Sequence, residues 1–520
     1  MDRKWWTLIA VCTGVFMLLL DITIVNVALP EIEKALKANL SDLQWVVDAY
    51  ALTLAALLLT AGSVADLAGR RIVFATGIVV FTIGSVLCGV APSALFLSLA
   101  RGLQGIGGAI MFATALALLA QAFPPRERGV AFGAFGAVTG VAIAVGPVLG
   151  GAIVTGLTWR WIFFVNVPIG VGALLITLRR VEESKLANAP RPDVPGFVTF
   201  SLGLAGLVFG LIRSQTVGWG SVQVLGPLAL AVVLLGCFFV IERRVRNPML
   251  DLGLLRVPTF NGGLVSAFCI SASIFSLFTY LTIYLQDLLG YSAIEAGLRF
   301  LPLTGAVFFV AAIAGRLTTR VPVRLLIGTG FGFLVASLLL MRGLSPTQGW
   351  THFLPGFILG GIGAGLINVP LASTAVGVVP AERAGMASGI NSTLRQVGIA
   401  TGVAALGTIL TSQIKSGMAA HLSHTPLASH AQQLGSAVTG GGLSEIVRKI
   451  PAPSRHLLLS AAKASYVSAL NDIFLVATGV AVVGMIVSFA AIRQRDFHAG
   501  PEQAGVPESE TVGSPPAVAA

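Results

Sequence analysis

Apolar runs of about twenty residues recur along the whole chain, and a helix of that length spans the hydrocarbon core of a bilayer. Lipid offers backbone N–H and C=O groups no partner, so each run must satisfy its own hydrogen bonds as a helix. Fourteen spans are expected, at 6–28, 43–64, 72–91, 95–121, 129–154, 161–178, 196–213, 222–242, 261–285, 295–315, 325–342, 353–378, 385–411 and 468–492. The predicted fold class is therefore all-α and polytopic. Composition agrees: 55% of the 520 residues are apolar and 11% charged, against about 25% charged in soluble domains. The net charge of +11 does not mark a nucleic-acid binder. The basic residues lie between spans, where they set orientation in the membrane.

Placing the N-terminus inside gathers Arg70, Arg71, Arg126, Arg128, Arg179, Arg180, Arg243, Arg244, Arg316, Arg320, Arg324 and Arg383 on the cytoplasmic side. Short outer segments keep only Lys34, Lys37, Arg160, Arg213, Arg299 and Arg342, so both termini are expected in the cytoplasm. The apolar stretch behind Arg3 and Lys4 runs to Pro30 without a small-residue cleavage site, and it is expected to remain as the first span. Charge and composition divide the chain into residues 1–190, a first six-helix bundle; 191–257, helices 7 and 8 with their linkers; and 258–498, a second six-helix bundle. The second bundle includes an outer loop at 412–467, and residues 499–520 form a Pro/Glu/Ala tail expected to be disordered. A repeat of glycine and arginine relates 62–71 to 315–324, and internal repeats are usual in secondary transporters. Cys12, Cys88, Cys237 and Cys269 each fall within an apolar run and are expected to be buried free thiols.

A charge inside a lipid-spanning helix is expensive and marks a functional candidate. Asp21, Asp48 and Arg101 share a depth in spans 1, 2 and 4, which suggests one buried cluster. An aspartate whose proton affinity is set by burial and by a movable arginine suits proton coupling; a static ion pair joining helices is the alternative reading. Gly62, Asp66, Gly69, Arg70 and Arg71 close span 2 at the cytoplasmic face. The glycines allow a tight turn and Asp66 can meet a helix N-terminus or a cation, so this segment is a candidate gate latch. Gly105, Gly107 and Gly108 in span 4, and Gly146, Gly150 and Gly151 in span 5, let helices approach closely. Pro147 loosens the helical ladder beside them.

These motifs together resemble the major facilitator superfamily, and specifically its fourteen-helix drug:proton antiporters of the EmrB/QacA type. Leu20, Asp21, Thr23, Asn26 and Pro30 resemble that group's first-helix signature. Residues 62–71 resemble the superfamily loop motif, with Leu67 in place of a basic residue. Arg101, Gln104, Gly105 and Gly107 resemble the fourth-helix motif, and Gly146, Pro147, Gly150 and Gly151 the antiporter motif of helix five, with Ala142 in place of its leading glycine. Residues 159–168 and 391–402 are also similar to this group. The resemblance implies two pseudo-symmetric six-helix bundles with an inserted helix pair, in a bacterial plasma membrane, as a monomer contacting lipid. It implies multidrug efflux and antibiotic resistance, with protons as coupling ion and no other cofactor. Asp21 would be the proton-coupling carboxylate, modulated by Arg101. Asp66 and Arg70 would secure the outward-facing state, and the helix-five glycines would control rocking.

Candidate cavity residues are Asn26, Tyr50, Gln104, Tyr284, Asn391 and Arg395. Arg395 either lines the cavity or hydrogen-bonds carbonyls; the pattern leaves both open. Spans 9–13 hold no carboxylate near mid-membrane, since Asp287 and Glu295 lie at outer ends. The resemblance implies that carriers of dications use such an acid, so the expected cargo is small, lipophilic, and neutral or monocationic. His421, His424, His430 and His456 are irregularly spaced, and no metal is expected. No clustered catalytic groups and no filter loop are visible, which argues against an enzyme or a channel. Uptake symport and lipid export use the same fold, and the helix-five antiporter motif tilts against uptake.

Overall fold

The computed structural model describes residues 2–38, 40–124, 127–184, 192–318, 320–423, 425, 427–439 and 452–497. Among these residues all regular structure is helical. The principal helices are α1 (Arg3–Leu36), α2 (Leu40–Ala68), α3 (Arg70–Gly89), α4 (Ala94–Ala122), α5 (Arg128–Gly156), α6 (Trp161–Arg180) and α7 (Val194–Val217). They continue as α8 (Val222–Glu242), α9 (Pro258–Leu288), α10 (Leu301–Leu317), α11 (Val323–Met341), α12 (Leu354–Gly377), α13 (Ala384–Leu422) and α14 (Ala452–Ala491). Among the described residues twelve helices are long and apolar enough to cross a membrane, while Arg128–Ala142 of α5 and Leu301–Leu317 of α10 are shorter apolar helices.

Helices α1 to α6 pack mainly on one another: α1 on α5, α6 and α4, α4 on α2 and α3, and α3 on α6. The same pairing recurs eight helices later, with α9 on α13 and α14, α12 on α10 and α11, and α11 on α14. Between these two groups the main crossings are α2 on α13 and α5 on α10. Both crossings depend on missing side chains. A Cβ on Gly62 would stand 2.2 Å from the carbonyl oxygen of Gly385, and one on Gly315 would stand 2.0 Å from that of Gly129. Gly62 and Gly315 are the equivalent positions of the sequence repeat. Each lets its helix back onto the other group at the end of the molecule where α1 begins and α14 ends.

That end is also basic and cross-linked. Arg3 pairs with Glu182 at 2.7 Å and Lys4 with Glu127 at 2.6 Å, and Arg383 at the start of α13 pairs with Asp251 of the linker after α8. Helices α7 and α8 pack on each other, and α7 also lies on α2 and α13, beside the crossing. Val222, Leu225, Leu230, Val232 and Val233 of α8 are exposed, an apolar face suited to lipid.

Two expectations are corrected. Much of 412–467 is helix rather than loop, because α13 runs on to Leu422 and α14 starts at Ala452. At 39 residues α13 is about 58 Å long, well beyond a hydrocarbon core of about 30 Å. Leu410, Ile414, Met418 and Leu422 recur one helical turn apart and are buried with Leu458, Ala462 and Tyr466 in a shared core, so an apolar seam holds the extension together. Residues 440–451 and His424 lie outside the described residues, as does the tail 499–520. Of the cysteines, Cys88 and Cys269 are buried, Cys12 is half-buried and Cys237 is exposed on α8. Placement in an apolar run shields a thiol by lipid as readily as by protein.

Candidate functional site

Polar side chains from four helices meet in the interior of the first group. Asp21 of α1 is 0% exposed and Arg101 of α4 is 1% exposed, and the Arg101 guanidinium pairs with Oδ2 of Asp21. The other carboxylate oxygen, Oδ1, accepts from Gln104 Nε2 at 2.8 Å and from Asn166 Nδ2 of α6 at 3.1 Å. Gln104 also donates to Ser85 Oγ of α3 at 2.7 Å and accepts from Arg101 at 2.7 Å. Arg101 Nε donates to the carbonyl of Val46 on α2 at 3.1 Å, and the Tyr50 ring lies 4.2 Å from its guanidinium carbon. A buried charge is tolerable only when paired and hydrogen-bonded. Here both ions are, and the network binds α1, α2, α3, α4 and α6 into one unit.

Asp48 does not join this network. Residue 48 lies about 200° around a helix from residue 46, so when Val46 turns its carbonyl to Arg101, Asp48 faces elsewhere. It is half-buried, and the charge acting on it is Arg213 of α7. Tyr50, one turn beyond Val46, returns to the Arg101 side. Asn26 is exposed and donates to the carbonyl of Ile22 at 3.4 Å.

Two of the helix-five glycines, Gly146 and Gly150, are packed against α1 just after Asp21, while Gly151 faces Ile294 ahead of α10. A Cβ on Gly146 would stand 1.8 Å from Thr23 Oγ1, one on Gly150 2.9 Å from Ile24, and one on Gly151 2.7 Å from Ile294. The side chain of Pro147 lies outside the described residues, and α5 is helical through it.

At the basic end, Asp66 both pairs with a cation and caps a helix. Its Oδ1 accepts from Arg70 Nε and Nη2 at 3.1 and 2.8 Å, and from the Gly385 amide at 2.9 Å. Its Oδ2 accepts from the Met386 amide at 2.8 Å. Free amides at a helix start carry partial positive charge that a carboxylate complements, so Asp66 fastens α2 to the start of α13. Gly69 takes a left-handed φ of +110°, which a side chain would strain. Beyond it the amides of Arg71 and Ile72, opening α3, donate to Glu183 at 3.0 and 3.1 Å.

A cavity lies between the two groups, lined on one side by Phe112 and Leu116 of α4 and by Phe132, Phe135 and Gly140 of α5. Facing them are Phe275 and Phe278 of α9, Thr304 of α10, Asn368 of α12, and Asn391 and Arg395 of α13. Counting about 1.5 Å per residue from the basic end, Arg395 lies about 17 Å along α13 and Asp21 about 27 Å along α1. Phe275 ends a π-helical stretch, Ser271–Phe275, a rare local widening that recurs at functional sites. Tyr50, Gln104, Tyr284 and Asn26 are absent from the lining. The first two serve Asp21 and Arg101, and Tyr284 is buried against Phe353 and Tyr466.

Residues 11–403 match the family model described as Major Facilitator Superfamily. The chain belongs to that superfamily. It is a multi-pass membrane transporter and not an enzyme. Among relatives of this transporter, the multidrug resistance protein Stp of Mycobacterium tuberculosis is 39% identical over 80% of the chain and 78% of its own length. The tetracenomycin C resistance and export protein of Streptomyces glaucescens is 33% identical over 98% of the chain and 95% of its own length. The solved structure of a bacterial homolog of the human lysosomal transporter Spinster, inward-facing and unoccupied, overlays with a TM-score of 0.58. It covers 96% of this chain and 99% of that one at 17% identity, a likeness of fold.

Several residues of the Asp21 network, the cavity and the basic end were not among the candidates read from sequence. Asn166 and Ser85 complete the Asp21 network, Asn368 holds Arg395, and Glu183 caps α3. Asn166 carries a usable signal, a strong hydrogen-bonding side chain inside an apolar run. Ser85 carries none, because serine back-bonds to its own helix as readily as it bridges two.

Proposed function

We propose that this transporter exports small lipophilic compounds, drugs or antibiotics among them, in exchange for protons. The observation that carries the reading is the sealed Asp21–Arg101 pair, seated beside the α1–α5 glycine contact and apart from the central cavity. In this reading protonation of Asp21 deprives Arg101 of its counter-charge. The arrangement of α1 and α4 that suited the ion pair is then no longer favoured, and α5 moves with α1. Asp66, Arg70 and the two glycine crossings hold the basic end shut in the outward-facing state. The relatives' names, which record drug resistance and export, support efflux over uptake.

The proposal includes fourteen membrane helices arranged as two pseudo-symmetric bundles, residues 1–190 and 258–498, with 191–257 inserted. It places the protein as a monomer in the bacterial plasma membrane with both termini in the cytoplasm. Protons are the coupling ion, and no other cofactor is invoked. Of the neutral and monocationic cargoes expected from sequence, the cavity disfavours the monocationic, because its only ionic lining residue among those described is Arg395.

Cells expressing Asp21→Asn, compared with cells expressing the parent across a panel of lipophilic antibiotics, test the reading. Resistance and proton-driven extrusion should disappear at unchanged protein level. Concentrative export surviving in Asp21→Asn would refute it.

A further inference from the structure

The cavity wall contributed by α12 and α13 carries a charge that nothing else in the cavity answers. Arg395 projects into a lining made otherwise of phenylalanines, aliphatic groups, hydroxyls and amides. Its one hydrogen bond is from Nη1 to the amide oxygen of Asn368 at 2.8 Å, and among the described residues no carboxylate pairs with it. Asn391, one turn earlier on the same face of α13, lines the same cavity, and its side-chain oxygen is buried without a partner. Compare Arg101, which has a carboxylate, a side-chain amide, a backbone carbonyl and two aromatic rings about it. A guanidinium at mid-membrane depth is costly unless its charge is answered. Arg101 is answered by the protein, and Arg395 is left for something that enters.

We propose that Arg395 makes the central cavity a site for flat aromatic compounds bearing a single carboxylate, phenolate or enolate. The guanidinium fork and the amide N–H groups of Asn368 and Asn391 would take the anionic oxygens, since arginine matches such groups bidentately, and the orphaned Asn391 oxygen would accept from a hydroxyl on the same cargo. Phe112, Phe132, Phe135, Phe275 and Phe278 offer faces and edges for the ring system. A cationic cargo would meet like charge at low dielectric, and a neutral one would leave the guanidinium unanswered. This rests on the cavity being the cargo site of the efflux reading and deepens it by naming the cargo's charge.

Three fluorescent probes of one shape separate the classes: anthracene-9-carboxylate, 9-anthracenemethanol and 9-anthracenemethylamine. Binding to the purified full-length transporter should favour the carboxylate over the alcohol by about 10- to 100-fold, the range of one charge-assisted hydrogen-bonded contact, with the amine weakest. Arg395→Gln should remove the carboxylate's advantage while leaving alcohol binding within a few-fold, and Arg395→Lys should restore part of it. Absent carboxylate binding, equal affinities or a preference for the amine would overturn the proposal. So would an undiminished carboxylate advantage in Arg395→Gln, or an equal loss for all three probes, which would mark a structural role. Proton-driven export of the alcohol or amine alone, abolished by Asp21→Asn, would sink the anion assignment and leave the efflux reading standing.

Discussion

Replacing Asp66 by alanine should open the basic end of the protein, and the structure sets the size of the effect. The substitution removes the acceptor of two Arg70 hydrogen bonds and of the Gly385 and Met386 amides, all within 2.8–3.1 Å. A buried donor left unsatisfied costs about 1–3 kcal/mol, and breaking a buried ion pair adds to that. Arg70 recovers part of its loss by turning toward water, which leaves about 3 kcal/mol against the closed arrangement. In the open arrangement the same groups are hydrated and lose nothing. A shift of 3 kcal/mol multiplies the open-to-closed ratio by about 150. A cysteine in place of Thr139, which lines the cavity and is close to cysteine in size, reports that ratio in a cysteine-free background. An impermeant maleimide applied from the basic side should label Asp66→Ala tens of times faster than the parent. Hydrogen exchange at Gly385 and Met386 should rise in parallel. Labelling within twofold of the parent, in a protein of unchanged thermal stability, would refute the latch.

Gly315→Ala tests the second crossing, where the added Cβ would stand 2.0 Å from a backbone oxygen of α5 that has no side chain to swing away; cavity labelling from the basic side should rise as it does for Asp66→Ala, and unchanged labelling would show that the crossing does not gate. If one proton enters for each monoanion leaving, two elementary charges move inward per cycle, worth about 4.6 kcal/mol at 100 mV against about 2.3 for a neutral cargo. Collapsing the voltage with potassium and valinomycin should therefore depress export of the anthracene carboxylate far more than that of the alcohol, and equal depression would exclude this stoichiometry.

Sequence placed the helices well, because an apolar run in lipid has one solution and basic residues mark where it ends. It also brought Asp21 and Arg101 to one depth. Depth along a helix is readable from residue counts, whereas direction around the helix is fixed by packing. Asp48 therefore looked like a third member of the cluster although its neighbour Val46 supplies the contact. Tyr50 and Gln104 looked like cavity residues although they serve Asp21 and Arg101. The helical extension of α13 was hidden differently. Ile414, Met418 and Leu422 repeat every four residues but share their turns with Gln413, Lys415 and His421. A window tuned to membrane spans reads that mixture as loop, while the period itself signals a helix–helix seam.

The Asp21–Arg101 network and the cavity share no residue among those described, and the proposed mechanism does not need them to. Helix α4 carries Arg101 and Gln104 at one level and Phe112 about two turns on. Helix α1 carries Asp21 directly before Thr23 and Ile24, which seat Gly146 and Gly150 of α5, and earlier turns of α5 form the cavity wall. Removing one partner of a buried ion pair costs about 3–5 kcal/mol, more than the 1–3 kcal/mol that couples sites in most allosteric proteins. Protonating Asp21 therefore supplies enough free energy to favour a different arrangement of α1, α4 and α5, provided that arrangement relieves Arg101. Coupling is reciprocal, so a cargo that fits one arrangement of the cavity better must change the proton affinity of Asp21 by the same factor. A carrier built this way can accept chemically varied cargo without altering its proton site, because cargo is read by the walls of the cavity while the proton is read by one sealed carboxylate.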